Sequence, residues 1–160
     1  MTDRSRLDQS CPFCKIILGR EPARVVCETA AAIAFFPLKP AALGHTLVVP
    51  KSHVVDLWAL DDDYAADIMQ AAILVGRAIK HVMRPDGMNL ITSAGQAATQ
   101  SVFHLHLHVV PRWMGDHVGE IWPPNSPWPD PVKDEIAELV RNACSNDLGG
   151  TDDLGWNANS

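Results

Sequence analysis

Only four cysteines, at positions 11, 14, 27 and 144, occur in 160 residues, too few for a fold stapled by disulfides. Basic residues are also in deficit, 13 against 19 acidic ones for a net charge of −6. That balance argues against nucleic acid or a membrane as the main partner, because both phosphate backbones and anionic lipids call for a positive field. No apolar run approaches the roughly 18 residues of a membrane-spanning helix. Residues 1–8 lack the apolar segment of a secretion signal, so a cytoplasmic protein is the expectation. No internal repeat is present. A chain of this length suffices for one domain that removes about two-thirds of its unfolded surface from water. The expected organisation is a flexible N-terminus over 1–10, a single domain over 11–145 and a mobile tail over 146–160. Within the domain, 11–112 forms the core and 113–145 an extension ending in a helix.

Against these absences stands one concentration of histidine. His104, His106 and His108 alternate with Phe103, Leu105, Leu107 and Val109 in the run from Ser101 to Arg112. A strand projects successive side chains to opposite faces, so this register predicts three imidazoles on one face and apolar side chains on the other. The tract is internal and alternating, unlike an expression tag. Imidazole has the side-chain pKa nearest neutrality, so such a row offers a nucleophile, a proton carrier and a cation in one patch.

Around this strand the pattern predicts an α+β fold. Cys11 to Gly19 suits a short helix closed by glycine. Val25 to Glu28 and Ala31 to Phe36 read as strands about a turn at Thr29 and Ala30, Pro37 to Gly44 as a loop, and His45 to Pro50 as a third strand. Asp61, Asp62 and Asp63 open a long helix. Its core stripe is Ala65, Ile68, Met69, Ala72, Val75, Ile79 and Val82, ending before Arg84 and Pro85. Met88 to Thr92 gives a fourth strand, Ser93 to Gln100 a small-residue loop, and Val102 to Val110 the histidine strand. Trp113 to Pro131, with five prolines and three tryptophans, is too proline-rich for regular structure. Asp134 to Cys144 reads as a terminal helix with Ile136, Leu139, Val140 and Ala143 inward. His81 falls near the end of the long helix, where a surface cation is favoured; His117 carries no assignment. Cys11-Pro12-Phe13-Cys14 is a C-x-x-C pair, half of a metal site or a redox pair. A thioredoxin-like pair would follow a strand of a βαβ unit, which these residues do not.

Taken together, Gly44-His45-Thr46-Leu47-Val48-Val49-Pro50-Lys51-Ser52-His53 and Gln100-Ser101-Val102-Phe103-His104-Leu105-His106-Leu107-His108-Val109-Val110 resemble the signature of the histidine triad family, in particular its zinc-containing bacterial nucleotide-binding members. The resemblance spans about Cys11 to Arg112. It implies an α+β homodimer with an antiparallel sheet of about five strands, one long helix and shorter terminal helices, the sheet continuing across the dimer. It further implies a purine-type nucleotide as ligand and a hydrolase acting on nucleoside 5′-phosphoramidates or related phosphoryl bonds. His106 would attack the α-phosphorus to give a nucleotidyl-imidazole. His108 and His45 would donate to the phosphate oxygens, helped by Ser93, Ser101 and the loop amides of Gln100 and Ser101. The nucleoside would lie in an apolar slot between Phe13 and Ile16 of the first helix and Phe36 and Leu38 of a strand end, although all four also suit an ordinary core. Cys11, Cys14, His53 and His104 match the zinc ligands of bacterial members, and such a closed tetrahedral shell is structural.

The chain departs from the family pattern at three positions. Pro37 stands where many relatives carry an Asp that holds the ribose, Ser93 where they have Asn, and Thr99 where Gly is frequent. Trp122 is similar to a tail residue that reaches the partner's site in some members. Pro111-Arg112-Trp113-Met114-Gly115-Asp116 resembles the segment found in dinucleoside polyphosphate hydrolases or phosphorylases, a second reading of function. A weakly catalytic nucleotide-binding or interaction module is a third.

Overall fold

The computed structural model describes residues 7–122 and 127–147. It divides into two compact units, one ending at Gly119 and the other beginning at Glu120. The expectations for residues 1–6 and for the tail from 148 onward lie outside the described residues.

In the first unit the order is α1 (Pro12–Ile17), β1 (Arg24–Glu28), β2 (Ala32–Phe36), β3 (Thr46–Pro50), α2 (Asp62–Met83), β4 (Gly87–Ile91) and β5 (Leu107–Arg112). The five strands form one sheet in the order β1-β2-β3-β5-β4, every pairing antiparallel. The ends of the helices follow from local chemistry. Asp61 caps α2 by accepting from the Tyr64 N–H at 2.8 Å, and Arg84 closes it in the left-handed region before Pro85, which cannot extend a helix. Gly19 adopts a φ of +70° where the chain leaves α1, a conformation that suits glycine.

The strand period of two divides the core. Ala32, Ala34, Val48, Leu107 and Val109 face α2, where they meet Ile68, Ala71, Ala72, Val75 and Ile79. Ile33, Phe35, Leu47 and Val49 face the other way and pack with Cys11, Phe13 and Cys14 of the α1 region. Leu47 pairs with His108, so the histidines share the α1 side of the sheet. Met69 and Val82, expected in the stripe of α2, are 41% and 77% exposed: they lie off the arc that the sheet covers.

The histidine strand is shorter than its alternation predicts. β5 begins at Leu107, and residues 101–106 are irregular. The pairing of β3 with β5 stops at Val48 with Leu107, and β3 ends at Pro50, which has no N–H to continue a ladder. Residues 101–106 are held by other bonds: the Leu105 N–H donates to the Val54 carbonyl, and His104 Nε2 to the Pro50 carbonyl at 3.0 Å. Leu105 is buried as expected, whereas Phe103 is 47% exposed, because the alternation has lapsed there.

The second unit contains α3 (Asp130–Asp147). It starts four residues ahead of the predicted helix, since Pro131 is tolerated in a first turn. Ile136, Leu139 and Val140, predicted to face inward, are exposed, and so is Ala143. Among the described residues no helix is long and apolar enough to cross a membrane.

Candidate active site and metal centre

His106 sits where the irregular segment enters β5 and is 7% exposed. Its Nδ1 lies 2.8 Å from the His104 carbonyl, and because a carbonyl can only accept, Nδ1 carries the proton. Nε2 therefore keeps its lone pair. Thr92, just past β4, donates its hydroxyl to the His106 carbonyl at 3.2 Å, tying the loop to the segment that aims the ring. Phe13 of α1 packs edge-on against His106, with ring centroids 5.2 Å apart.

His108 lies beside His106, centroids 4.8 Å apart, and its Nδ1 is 2.9 Å from Nε2 of His45. His45 in turn accepts at Nδ1 from the Ala41 N–H, 3.0 Å away. Burial pushes all three imidazoles below their ordinary pKa, with His106 as a neighbouring charge in the cases of His45 and His108. His108 falls to about 4. The cluster is thus uncharged at neutral pH, as a nucleophilic imidazole requires.

The expected phosphate-loop and slot residues differ in what they offer. Ser93 is half-buried and Ser101 exposed. Gln100 is buried; its side chain accepts from the Gly95 N–H and donates to the Val55 and Val102 carbonyls. Its main-chain N–H donates to the Gly95 carbonyl at 3.1 Å. Gln100 therefore clasps the loop, with its main-chain N–H turned onto the Gly95 carbonyl. Phe13, 9% exposed, also packs on Phe35 and belongs to the core. Ile16, Phe36 and Pro37 are half-buried, and Leu38 is 92% exposed. Thr92 and the Ala41 amide were missed at the level of sequence; the latter leaves no side-chain signal to find.

A second cluster lies beneath the first. One ligand atom from each of Cys11, Cys14, His53 and His104 falls within 4.8 Å of the others. Cys11 Sγ is 3.4 Å and Cys14 Sγ 3.5 Å from His104 Nδ1, and Cys14 Sγ is 3.3 Å from His53 Nδ1. Tetrahedral zinc with ordinary Zn–S and Zn–N bonds sets its sulfur and nitrogen ligands about 3.5 Å apart, so the donor set fits such an ion. His104 already donates from Nε2 to the Pro50 carbonyl, which leaves Nδ1 as a lone pair aimed at the thiols; an outer partner of this kind is usual for a ligand histidine. Burial pushes the Cys14 thiol up to about 11 and His104 down to about 4. A dication among them would reverse the first shift.

Beyond the site, Arg112 makes four hydrogen bonds within the protein. Its Nε and one Nη bind both carboxylate oxygens of Asp116, the other Nη donates to Asn89 Oδ1, and the Gly119 carbonyl accepts a further bond. Asp116 also accepts from the Trp113 and Val118 N–H groups, and Arg112 holds its carboxyl far below the usual range. His81 and His117 are exposed and belong to neither cluster.

A small antiparallel sheet backed by one long helix, with a cluster of neutral imidazoles on the opposite face, defines a class of α+β histidine proteins. The HIT domain model matches residues 19–114, and this chain belongs to the HIT, or histidine triad, family. The chain is 34% identical over 136 residues to the adenosine 5′-monophosphoramidase hnt1 of Schizosaccharomyces pombe, covering 82% of this chain and 99% of that one. A HIT family protein of Bacillus subtilis superposes with a TM-score of 0.77 at 33% identity, covering 84% of this chain and 96% of its own. A zinc-bound histidine triad protein of Mycobacterium smegmatis superposes with a TM-score of 0.65 at 34% identity, covering 88% and 98%.

Proposed function

We propose that this protein is a nucleotide hydrolase that cleaves nucleoside 5′-phosphoramidates or related nucleoside phosphoryl bonds through a covalent nucleotidyl-His106. The observation that carries the reading is the bond from His106 Nδ1 to the His104 carbonyl, which leaves Nε2 unprotonated in a buried, neutral ring. In the first step that lone pair forms a bond to the α-phosphorus, and the P–N or P–O bond to the leaving group breaks with its electron pair going to the leaving atom. Water then attacks the same phosphorus, and the imidazole departs with the P–N electrons. His108, with Ser93 and Ser101, acts on the phosphoryl oxygens as donor, His45 stands behind it through the contact of its Nε2 with His108 Nδ1, and Phe36, Leu38 and Ile16 border the nucleoside. The activity named for the fission-yeast relative supports an adenosine-type, and so purine, substrate.

Cys11, Cys14, His53 and His104 would hold one zinc ion, whose contribution is structural: four protein ligands leave no position for water. The mycobacterial relative supports this. The chain acts as a homodimer in this reading. β4 is an outer strand of the sheet with Leu90 exposed, an edge suited to pairing with a second copy; light scattering in solution tests it. The polyphosphate reading gains nothing from Arg112, whose guanidinium is engaged by Asp116, Asn89 and Gly119.

The test is incubation with an adenosine phosphoramidate, rapid acid quench and mass spectrometry. The expected result is a nucleotidyl adduct on residue 106 and a loss of at least about a thousandfold in kcat for His106→Ala. Tight nucleotide binding with no turnover would favour a binding module instead.

A further inference from the structure

The hydrogen bonds around His45 reach beyond the phosphoryl site into the preceding loop. The Ala41 N–H points at His45 Nδ1 from 3.0 Å, and the His45 N–H donates back to the Ala42 carbonyl at 3.0 Å, so this loop folds around its own histidine. A main-chain N–H can only donate. His45 Nδ1 must therefore be a lone pair, and a neutral His45 carries its proton on Nε2. That proton faces His108 Nδ1 at 2.9 Å, so His108 Nδ1 is also a lone pair, and a neutral His108 carries its proton on Nε2. The neighbouring His106 has the opposite tautomer, because its Nδ1 meets a carbonyl.

We propose that the main-chain N–H of Ala41 is a positioning group for the phosphoryl chemistry: acting through His45, it fixes His108 as an Nε2–H donor beside the nucleophile. This rests on the reading of His106 as the attacking group. The relay also limits what His108 can do. A second proton on His108 would sit on Nδ1, head-on to the Nε2–H of His45. His45 cannot yield by moving its own proton to Nδ1, since the Ala41 N–H occupies that side. His108 therefore serves as a neutral donor to a phosphoryl oxygen, and the leaving atom takes its proton from solvent water. The burial of both rings agrees with this. Two adjacent imidazoles of opposite tautomer, one offering a lone pair and the other an N–H, match a phosphoryl group that must be attacked at phosphorus and held at oxygen.

The test replaces Ala41 by the corresponding hydroxy acid, lactic acid, which turns the amide into an ester and removes the N–H alone; Ala41→Gly, which keeps it, is the control. Ala41 is exposed, so neither change disturbs the core. Two-bond proton–nitrogen correlation spectra of histidine-labelled protein read the tautomers directly, whether or not the protein turns over. The expected result is Nε2–H at both His45 and His108 in the unaltered chain and in Ala41→Gly. In the ester, His45 becomes a mixture of tautomers and kcat falls by about fivefold to tenfold, as one lost hydrogen bond allows, with KM less affected. A proton found on Nδ1 of His45 in the unaltered chain, or an ester whose tautomers and kcat are both unchanged, would overturn the proposal. If the unaltered chain shows no turnover on any nucleoside phosphoramidate, the functional reading fails while the spectra still decide the relay.

Discussion

Thr99 occupies a conformation that its side chain opposes. It closes the short 3-10 turn over Gln96–Ala98 with φ 69° and ψ 21°, in the left-handed region, where a β-branched residue is a genuine outlier. That geometry costs an ordinary residue about 1–2 kcal/mol, and branching at Cβ puts Thr toward the upper end. The Thr99 side chain is exposed, so its removal takes little packing with it. Glycine would relieve the strain but would add freedom to the unfolded chain worth about 0.5–1 kcal/mol. The net expectation for Thr99→Gly is a gain of about 0.5–1 kcal/mol. For a chain of this size 1 kcal/mol moves Tm by about 2–4 °C, so calorimetry should find Tm raised by about 1–4 °C. Thr99→Val, which keeps the branch, should give no gain. A glycine variant with unchanged or lowered Tm would refute the reasoning, because the strain would then have to be absorbed elsewhere in the loop.

Other outcomes follow from the same coordinates. A Cβ added at Gly44, where φ is +86°, would clash with Met83 Sδ and lie 3.4 Å from Pro111 Cγ. Gly44→Ala should therefore lose about 1–2 kcal/mol in urea unfolding, mainly from the backbone cost, since the flexible Met83 thioether can move aside; an unchanged midpoint would contradict it. Chelation of purified protein should lower Tm, and Cys14→Ala should show no such response; equal melting of both before and after chelation would remove the metal reading. The folded pKa values of His45 and His108 lie below the 6.5 of a free imidazole, His108 at about 4. The unfolded chain thus binds more protons between those limits, so their stabilising effect is complete above about pH 6.5 and is lost as pH falls toward 4. Urea midpoints measured across that interval should fall on acidification, less steeply in His108→Asn, and a rise would show the sign to be wrong.

The elements that could be read from sequence are those whose limits are set by their own residues. The Asp61 cap and the Arg84-Pro85 stop bracket α2 within a residue or so of the pattern, and the histidine alternation identified the face on which the imidazoles gather. The start of β5 could not be read in that way, because it is decided by Pro50 on a neighbouring strand. Exposure of Met69 and Val82 is likewise settled by how far the sheet extends. The part Gln100 plays in bracing the loop, through contacts to Gly95, Val55 and Val102, could not be read from its place beside the histidines. The Ala41 amide is identical in every non-proline residue, so only geometry could single it out.

Cys11, Phe13 and Cys14 stand on one short turn of chain. The two sulfurs approach His104 and His53, while the ring between them presents its edge to His106. Whatever the thiols grip therefore also steadies an aromatic wall beside His106. Loss of that ligand would be felt at His106 as a loosened wall, so a defect among the thiols would be transmitted to the imidazole one ring away.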